Sequence, residues 1–479
     1  MGIMKLSKTV YTTVLFILAI SSCINKPIAP TLAIVETATG KSTLIPTVSE
    51  TPTPFRIATT EAVSPSPSPS VSPSPTVQTS PRMVMAQIQM FDTNTGWAVY
   101  SNPFFRPEDS KILRTADGIQ TWMDVTPPIS ESSSKIRAVF FRDVNTAIVI
   151  SSHSFLPVSP TVEIIPWRTT DGGQTWQAGK ILKIDYDFYP SQLIFLNQEQ
   201  GWMLGESDSG MGNMRVQLLE TQDGGMHWEV LYDTVNHLSD PDTLWISGYY
   251  PFSEHFTFVS ETVGFFSNKR LFSSQDGGRS WIFRPLDPPA DLPDIDCKGG
   301  NCKYLDTVSV PRFTSPQDGV LLRRVYLKSK VVQDVFLYHH LQNRLPLPIA
   351  QYLYYTHDNG KTWIPRPSPV KIGTVYFRDA QVGWLLGKND PDPASPTQLY
   401  HTTDGGETWS QIDANCMLSL GSALQFVDEQ TGFAFFPYAF SDIYRYFDVR
   451  IDPAARHSYL FYSNDGGSSW VKIEPQVAP

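Results

Sequence analysis

The 479-residue chain carries 37 basic and 47 acidic side chains, a formal net charge of −10 at pH 7, and 12% aromatic residues. Residues 1–82 hold 6 of the basic and 3 of the acidic groups, which leaves the remainder with 31 against 44, net −13. A body this acidic repels a phosphate backbone and argues against nucleic-acid binding.

The first segment, residues 1–23, reads as an export signal. Lys5 and Lys8 precede an apolar run over 10–20 that is too short to span a bilayer. Ile20-Ser21-Ser22-Cys23 follows directly, and this aliphatic-small-small-Cys order resembles the bacterial lipobox. The resemblance implies cleavage before Cys23 and a lipid on its thiol, with two or more acyl chains giving stable anchoring to a membrane. Residues 24–83 are poor in apolar side chains and rich in Ser, Thr and Pro, with SPSPSPSVSPSP at 64–75. Such a stretch cannot build a core and is expected to be a disordered tether. At about 3.1 Å per residue in the polyproline form, ~55 residues reach up to roughly 170 Å. Phe55-Arg56-Ile57 resembles the start of the Phe-Arg-Ile-Pro motif of sialidases, but Ala58 replaces the proline and the triplet lies in the tether.

From residue 84 to 479 two motifs alternate. The first is an apolar strand ending in Phe, a polar turn, then Gly-aromatic and further apolar residues. Its copies are MFDTNTGWAVY (90–100), FLNQEQGWMLG (195–205), FVSETVGFF (258–266), FTSPQDGVLL (313–322), FRDAQVGWLLG (377–387) and FVDEQTGFAFF (426–436). FRDVNTAIVI (141–150) is a further copy without the Gly. The second motif follows each of these: TADGIQTW (115–122), TTDGGQTW (169–176), TQDGGMHW (221–228), SQDGGRSW (274–281), THDNGKTW (356–363), TTDGGETW (402–409) and SNDGGSSW (463–470). Asp-Gly is a strong hairpin signal because Gly accepts positive φ, and the carboxylate accepts hydrogen bonds from its own turn. The aspartates are Asp117, Asp171, Asp223, Asp276, Asp358, Asp404 and Asp465; the tryptophans that close each motif are Trp122, Trp176, Trp228, Trp281, Trp363, Trp409 and Trp470. Each tryptophan is expected to bury against the neighbouring repeat. Ile119 in place of Gly, and His227 in place of Ser/Thr, read as drift. The aspartates recur every 58 residues on average. Strand, turn, strand, loop, strand, turn, strand is a four-stranded meander, and seven copies predict an all-β, seven-bladed β-propeller.

Two insertions interrupt the rhythm. One separates the fourth and fifth aspartates and holds Asp291, Asp294 and Asp296 before CKGGNC (297–302), then His339-His340. A solvated acidic loop is the commoner reading of the three aspartates, and a calcium site the other. Adjacent histidines on a strand face opposite ways and do not readily share one metal. Cys297 and Cys302, in one polar loop of an exported protein, are expected to form a disulfide, with Cys416 left over beside the seventh repeat. The second insertion, 389–397, carries Asp390 and Asp392.

The Ser/Thr-x-Asp-Gly-x-Ser/Thr-Trp copies are identified as Asp-boxes, the bacterial neuraminidase (BNR) repeat. With the Phe-turn-Gly strand they resemble, over about 84–479, the photosystem II assembly and stability factors. That resemblance implies a seven-bladed propeller that binds membrane-protein subunits without catalysis, in that family through an arginine-rich surface; no such patch maps onto this acidic body. Sialidases and xyloglucan-cleaving glycosidases also use Asp-boxes, but no arginine triad, Tyr/Glu pair, carboxylate pair or nucleophile elbow is selected by the sequence. The expectation is therefore a monomeric, membrane-anchored binding or assembly propeller on the outer face of a bacterial membrane. It has no catalytic residues, cofactor or metal. Its partner is an envelope or membrane protein complex, with a glycan possible. The alternatives are a glycan-active hydrolase and a cell-surface adhesin.

Overall fold

A computed structural model describes residues 84–101, 110–129, 134–154, 161–185, 188–208, 214–237, 256–268, 270–292, 303–328, 348–390, 395–414, 418, 422–435, 460–473 and 475–477. They form seven antiparallel sheets in chain order, the blades of a propeller. Blade 1 runs Val84–Met90, Gly96–Ser101, Lys111–Thr115 and Thr121–Asp124. Blade 2 begins at Ser134–Phe141, blade 3 at Phe188–Phe195, blade 4 at Phe256–Phe258, blade 5 at Tyr304–Val308, blade 6 at Ile372–Phe377 and blade 7 at Ala423–Phe426. First strands of neighbouring blades pack side by side around the axis. Each blade is a four-stranded meander; blades 1, 2 and 5 add a short fifth strand. In blade 1 that strand is Gln476–Val477, paired in parallel with Thr121 and Trp122 on the outer edge, so the last described residues join blade 7 to blade 1.

The two sequence motifs alternate because they are bonded to each other. In a four-stranded meander the first and third turns leave from the same end, so the polar turn and the Asp-box of one blade lie together. The polar turn is held by its own side chain: Asp92 Oδ1 accepts from the N–H of Asn94 and Thr95 at 2.7 and 2.6 Å. Asp143, Asn197, Asp379 and Asp428 repeat this two-bond cap, and Ser315 makes it through its hydroxyl. The box then donates a backbone N–H to the same turn in every blade. Gly118 reaches Asn94, Gly172 reaches Asn145, Gly224 reaches Glu199 and Gly277 reaches Thr262, while Asn359 reaches Gln317, Gly405 reaches Gln381 and Gly466 reaches Gln430, all between 2.8 and 3.1 Å. Asn359 adopts φ 62°, which Asn tolerates better than other residues with a side chain.

The seams between blades are aromatic. Trp202 stacks on Phe258 of the next blade with ring centroids 3.8 Å apart, and Trp384 on Phe426 at 3.7 Å. Their indole N–H groups donate forward to Gly277 and Gly466 of the following boxes. Box tryptophans face backward: Trp228 sits with Ile148 and Ile164 of blade 2, Trp470 with Trp384 and Leu399 of blade 6. Trp122 packs with Phe433, Phe435 and Leu460 of blade 7. Truncating one such ring costs about 3–5 kcal/mol. Two glutamines add a polar clamp between first strands. Gln192 exchanges both amide bonds with the backbone of Phe256, and Gln425 does the same with Met90 across the closing seam.

Ile119 has a structural task. It sits at φ 75°, where L-residues are strained, yet is only 1% exposed in the seam between blades 1 and 7. In the other boxes the glycine at this position lies under a side chain of the preceding blade: Val125 over Gly173, Leu218 over Gly278, Leu399 over Gly467. In box 1 the isoleucine itself fills that space.

Candidate partner-binding surface

The seven box aspartates are turn residues in a shared geometry. In box 6, Asp404 Oδ1 accepts from the Thr402 hydroxyl at 2.7 Å and the Thr408 N–H at 2.9 Å, and Oδ2 accepts from the Thr408 hydroxyl at 2.6 Å. Asp117, Asp171, Asp276, Asp358 and Asp465 repeat all three bonds. In Asp117, Asp171 and Asp404 the Thr hydroxyl is the foremost cause of a lowered carboxyl pKa, with Asp171 held at about 2. At Asp276, Asp358 and Asp465 burial pushes the other way, but the Ser/Thr bonds outweigh it and the pKa is again lowered. Asp223 differs: its Oδ1 takes the Thr221 hydroxyl and two N–H groups, but His227 brings no hydroxyl to Oδ2.

Residues immediately before a box latch the next one, a role that the motif pattern alone does not reveal. Arg168 Nη1 donates to the Asp223 carbonyl of box 3, and the Tyr355 hydroxyl lies 3.4 Å from the Gly406 carbonyl of box 6. Arg114 Nε donates to Val144 of the neighbouring polar turn. These positions vary in identity (Arg, Glu, Ser, Tyr, His), so no repeat marks them.

Other sequence expectations fall unevenly. Asp291 accepts a hydrogen bond from the Tyr352 hydroxyl at 2.7 Å. Asp294, Asp296, Asp392, His339, His340, Cys23, Cys297, Cys302 and Cys416 lie outside the described residues. No group of three or more His, Cys, Asp or Glu suited to a metal occurs among the described residues. A cleft of about 270 Å³ between blades 5 and 6 is lined by Arg312, Thr314, Asp318, His357 and Phe377, with His357 Nδ1 2.8 Å from Asp318.

The inner wall of blades 1 to 3 is irregular in one shared way. Each first strand carries a register shift against its second strand, at Ala86, Arg137 and Ser191. A bulge of this kind re-aims the extra side chain. Tyr189, two residues before the shift in blade 3, is 45% exposed. The Arg137 guanidinium of blade 2 lies 5.1 Å from the Tyr189 ring centroid, and its Nε donates to Ser152 at 2.8 Å. Burial draws the Arg137 pKa below its ordinary value. An exposed aromatic with an arginine against it, on the innermost strands, is the most partner-ready feature of the described surface.

Residues 400–411, across the sixth box, match the family model for the BNR/Asp-box repeat. No curated protein matches the chain. Among solved structures the chain is similar to YCF48 bound to D1 peptide, at 17% identity over 74% of this chain and 88% of that one, TM-score 0.42. It is similar to YCF48 from Cyanidioschyzon merolae at 15% identity over 82% and 96%, TM-score 0.42. It is also similar to the GH74 xyloglucanase from Xanthomonas campestris at 13% identity over 81% and 54%, TM-score 0.48. With seven sheets in chain order, each carrying its box, the chain is a seven-bladed β-propeller built on Asp-box repeats.

Proposed function

We propose that this propeller is a non-catalytic protein-binding or assembly module, exported and held by a lipid on Cys23 at the outer face of a bacterial membrane. The observation that carries the binding reading is the Arg137–Tyr189 pair on the inner wall, an amphipathic anchor of the residue types that dominate protein interfaces. The box aspartates support it from the other side. Six of the seven have both carboxylate oxygens engaged by their own turns, an arrangement that suits a scaffold and not proton transfer. The lipobox-like 20–23 and the Ser/Thr/Pro-rich 24–83 support the location, since a long tether behind an anchor holds a domain over a membrane.

The test pairs two assays on the full-length protein. A pull-down from solubilised membranes is expected to retain one defined membrane complex with wild type and less of it with Tyr189→Ala. A panel of fluorogenic glycosides, sialosides included, is expected to give no turnover. Turnover abolished by substitution of a single carboxylate would replace this reading with the hydrolase.

A further inference from the structure

Most part-buried arginines of the body have their charge or their terminal nitrogens engaged. Arg215 meets Asp233, Arg323 meets Asp306, and Arg378 meets Asp379 and Glu429. Arg142 places both terminal nitrogens on carbonyls of the next polar turn. Arg137 is different. Its interactions among the described residues are the Nε bond to Ser152 and the contact with the Tyr189 ring. Both of its terminal nitrogens therefore lack a protein acceptor. The Tyr189 hydroxyl beside them has no protein hydrogen-bond partner either. A guanidinium drawn partly out of water, with its fork unmet, is costly to keep unless something meets it. The bulge that displaces Arg137 from the ladder sits on an innermost strand, where a partner entering the channel would meet it.

We infer that Arg137 and Tyr189 form a carboxylate-binding subsite on the channel wall, taking a single acidic side chain of an extended polypeptide segment. The inference rests on the binding reading above and names the chemistry of the partner. Arg137 presents two parallel N–H groups in the fork that matches a carboxylate, and the Tyr189 hydroxyl supplies a third donor. The Tyr189 ring offers an apolar platform to the adjoining methylenes. A body of net −13 opposes a polyanionic glycan but accepts one local carboxylate on an otherwise neutral chain.

Random twelve-residue peptides displayed on phage, selected on the full-length protein, provide the probe. The selected consensus is expected to contain Asp or Glu. Its synthetic peptide should bind at least tenfold more tightly than the same peptide with the acid changed to the amide. Against R137Q that discrimination should vanish, against R137K it should persist in part, and Y189F should weaken binding severalfold; melting curves confirm that each variant is folded. Peptides that bind R137Q as well as wild type overturn the subsite and leave the binding reading standing. Oligogalacturonate that binds through Arg137 while no peptide does would assign the carboxylate to a sugar and overturn the polypeptide partner. No selectable peptide, together with glycoside turnover, would overturn both.

Discussion

Ile119 offers a direct test of how the ring is closed. Restoring the repeat consensus with Ile119→Gly removes the cost of a β-branched residue at φ 75°, about 1–2 kcal/mol. It also deletes a side chain that is 1% exposed between Trp122 and the blade 7 residues Phe433 and Leu460. Loss of a buried isoleucine costs about 2–5 kcal/mol, and the seam cannot collapse freely because both blades are held elsewhere. Burial wins: Ile119→Gly should destabilise by about 1–3 kcal/mol despite matching the consensus. Ile119→Ala loses nearly the same packing and keeps a side chain at positive φ, so it should fall about 1 kcal/mol below the glycine variant. Urea unfolding of the full-length protein, with all three species sharing one slope, reads the order directly. A glycine variant as stable as wild type would refute the seam-filling role; an alanine variant more stable than glycine would refute the strain.

Other expectations follow from the boxes and the cysteines. His227→Thr should return a hydroxyl to Asp223 Oδ2 and raise stability by about 0.5–1 kcal/mol, measured by thermal melting. Asp404→Ala removes three turn hydrogen bonds and should cost about 1–3 kcal/mol while leaving partner binding intact; unchanged stability with lost binding would mark it as a site residue. The box carboxyls have folded pKa values below their unfolded values of about 4. Their contribution is therefore fully present above that pH and is lost as pH falls toward about 2, the value for Asp171. Melting temperature should accordingly be flat above about pH 5 and drop steadily below about 4; a rise on acidification would contradict the assignment. Thiol titration of the denatured, non-reduced mature protein should find one reactive cysteine, Cys416, if Cys297 and Cys302 are joined and Cys23 is lipidated; three would refute the disulfide.

The architecture was legible because it is periodic. Asp-Gly turns and Phe-Gly pairs are local devices whose cause lies within a few residues of the chain, and seven copies leave little choice of fold. The hydrogen bond from each box to its polar turn was not visible, since it joins residues some 20 to 40 positions apart that share no complementary signature. The status of Ile119 was misjudged as drift for the same reason. Its justification lies in blade 7, more than 300 residues away in sequence. The inner-wall pair was the hardest to foresee: Arg137 and Tyr189 belong to no motif, and only a β-bulge and the seam between two blades bring them together.

The measurement that bears most directly on the central claim is the stoichiometry of a partner recovered from solubilised membranes with wild type beside a folded Tyr189→Ala, Arg137→Gln double variant. The account predicts one membrane protein complex recovered near one-to-one with wild type and at least tenfold depleted with the variant. Equal recovery with both proteins, or a preparation that instead turns over a glycoside through one identifiable carboxylate, would contradict it.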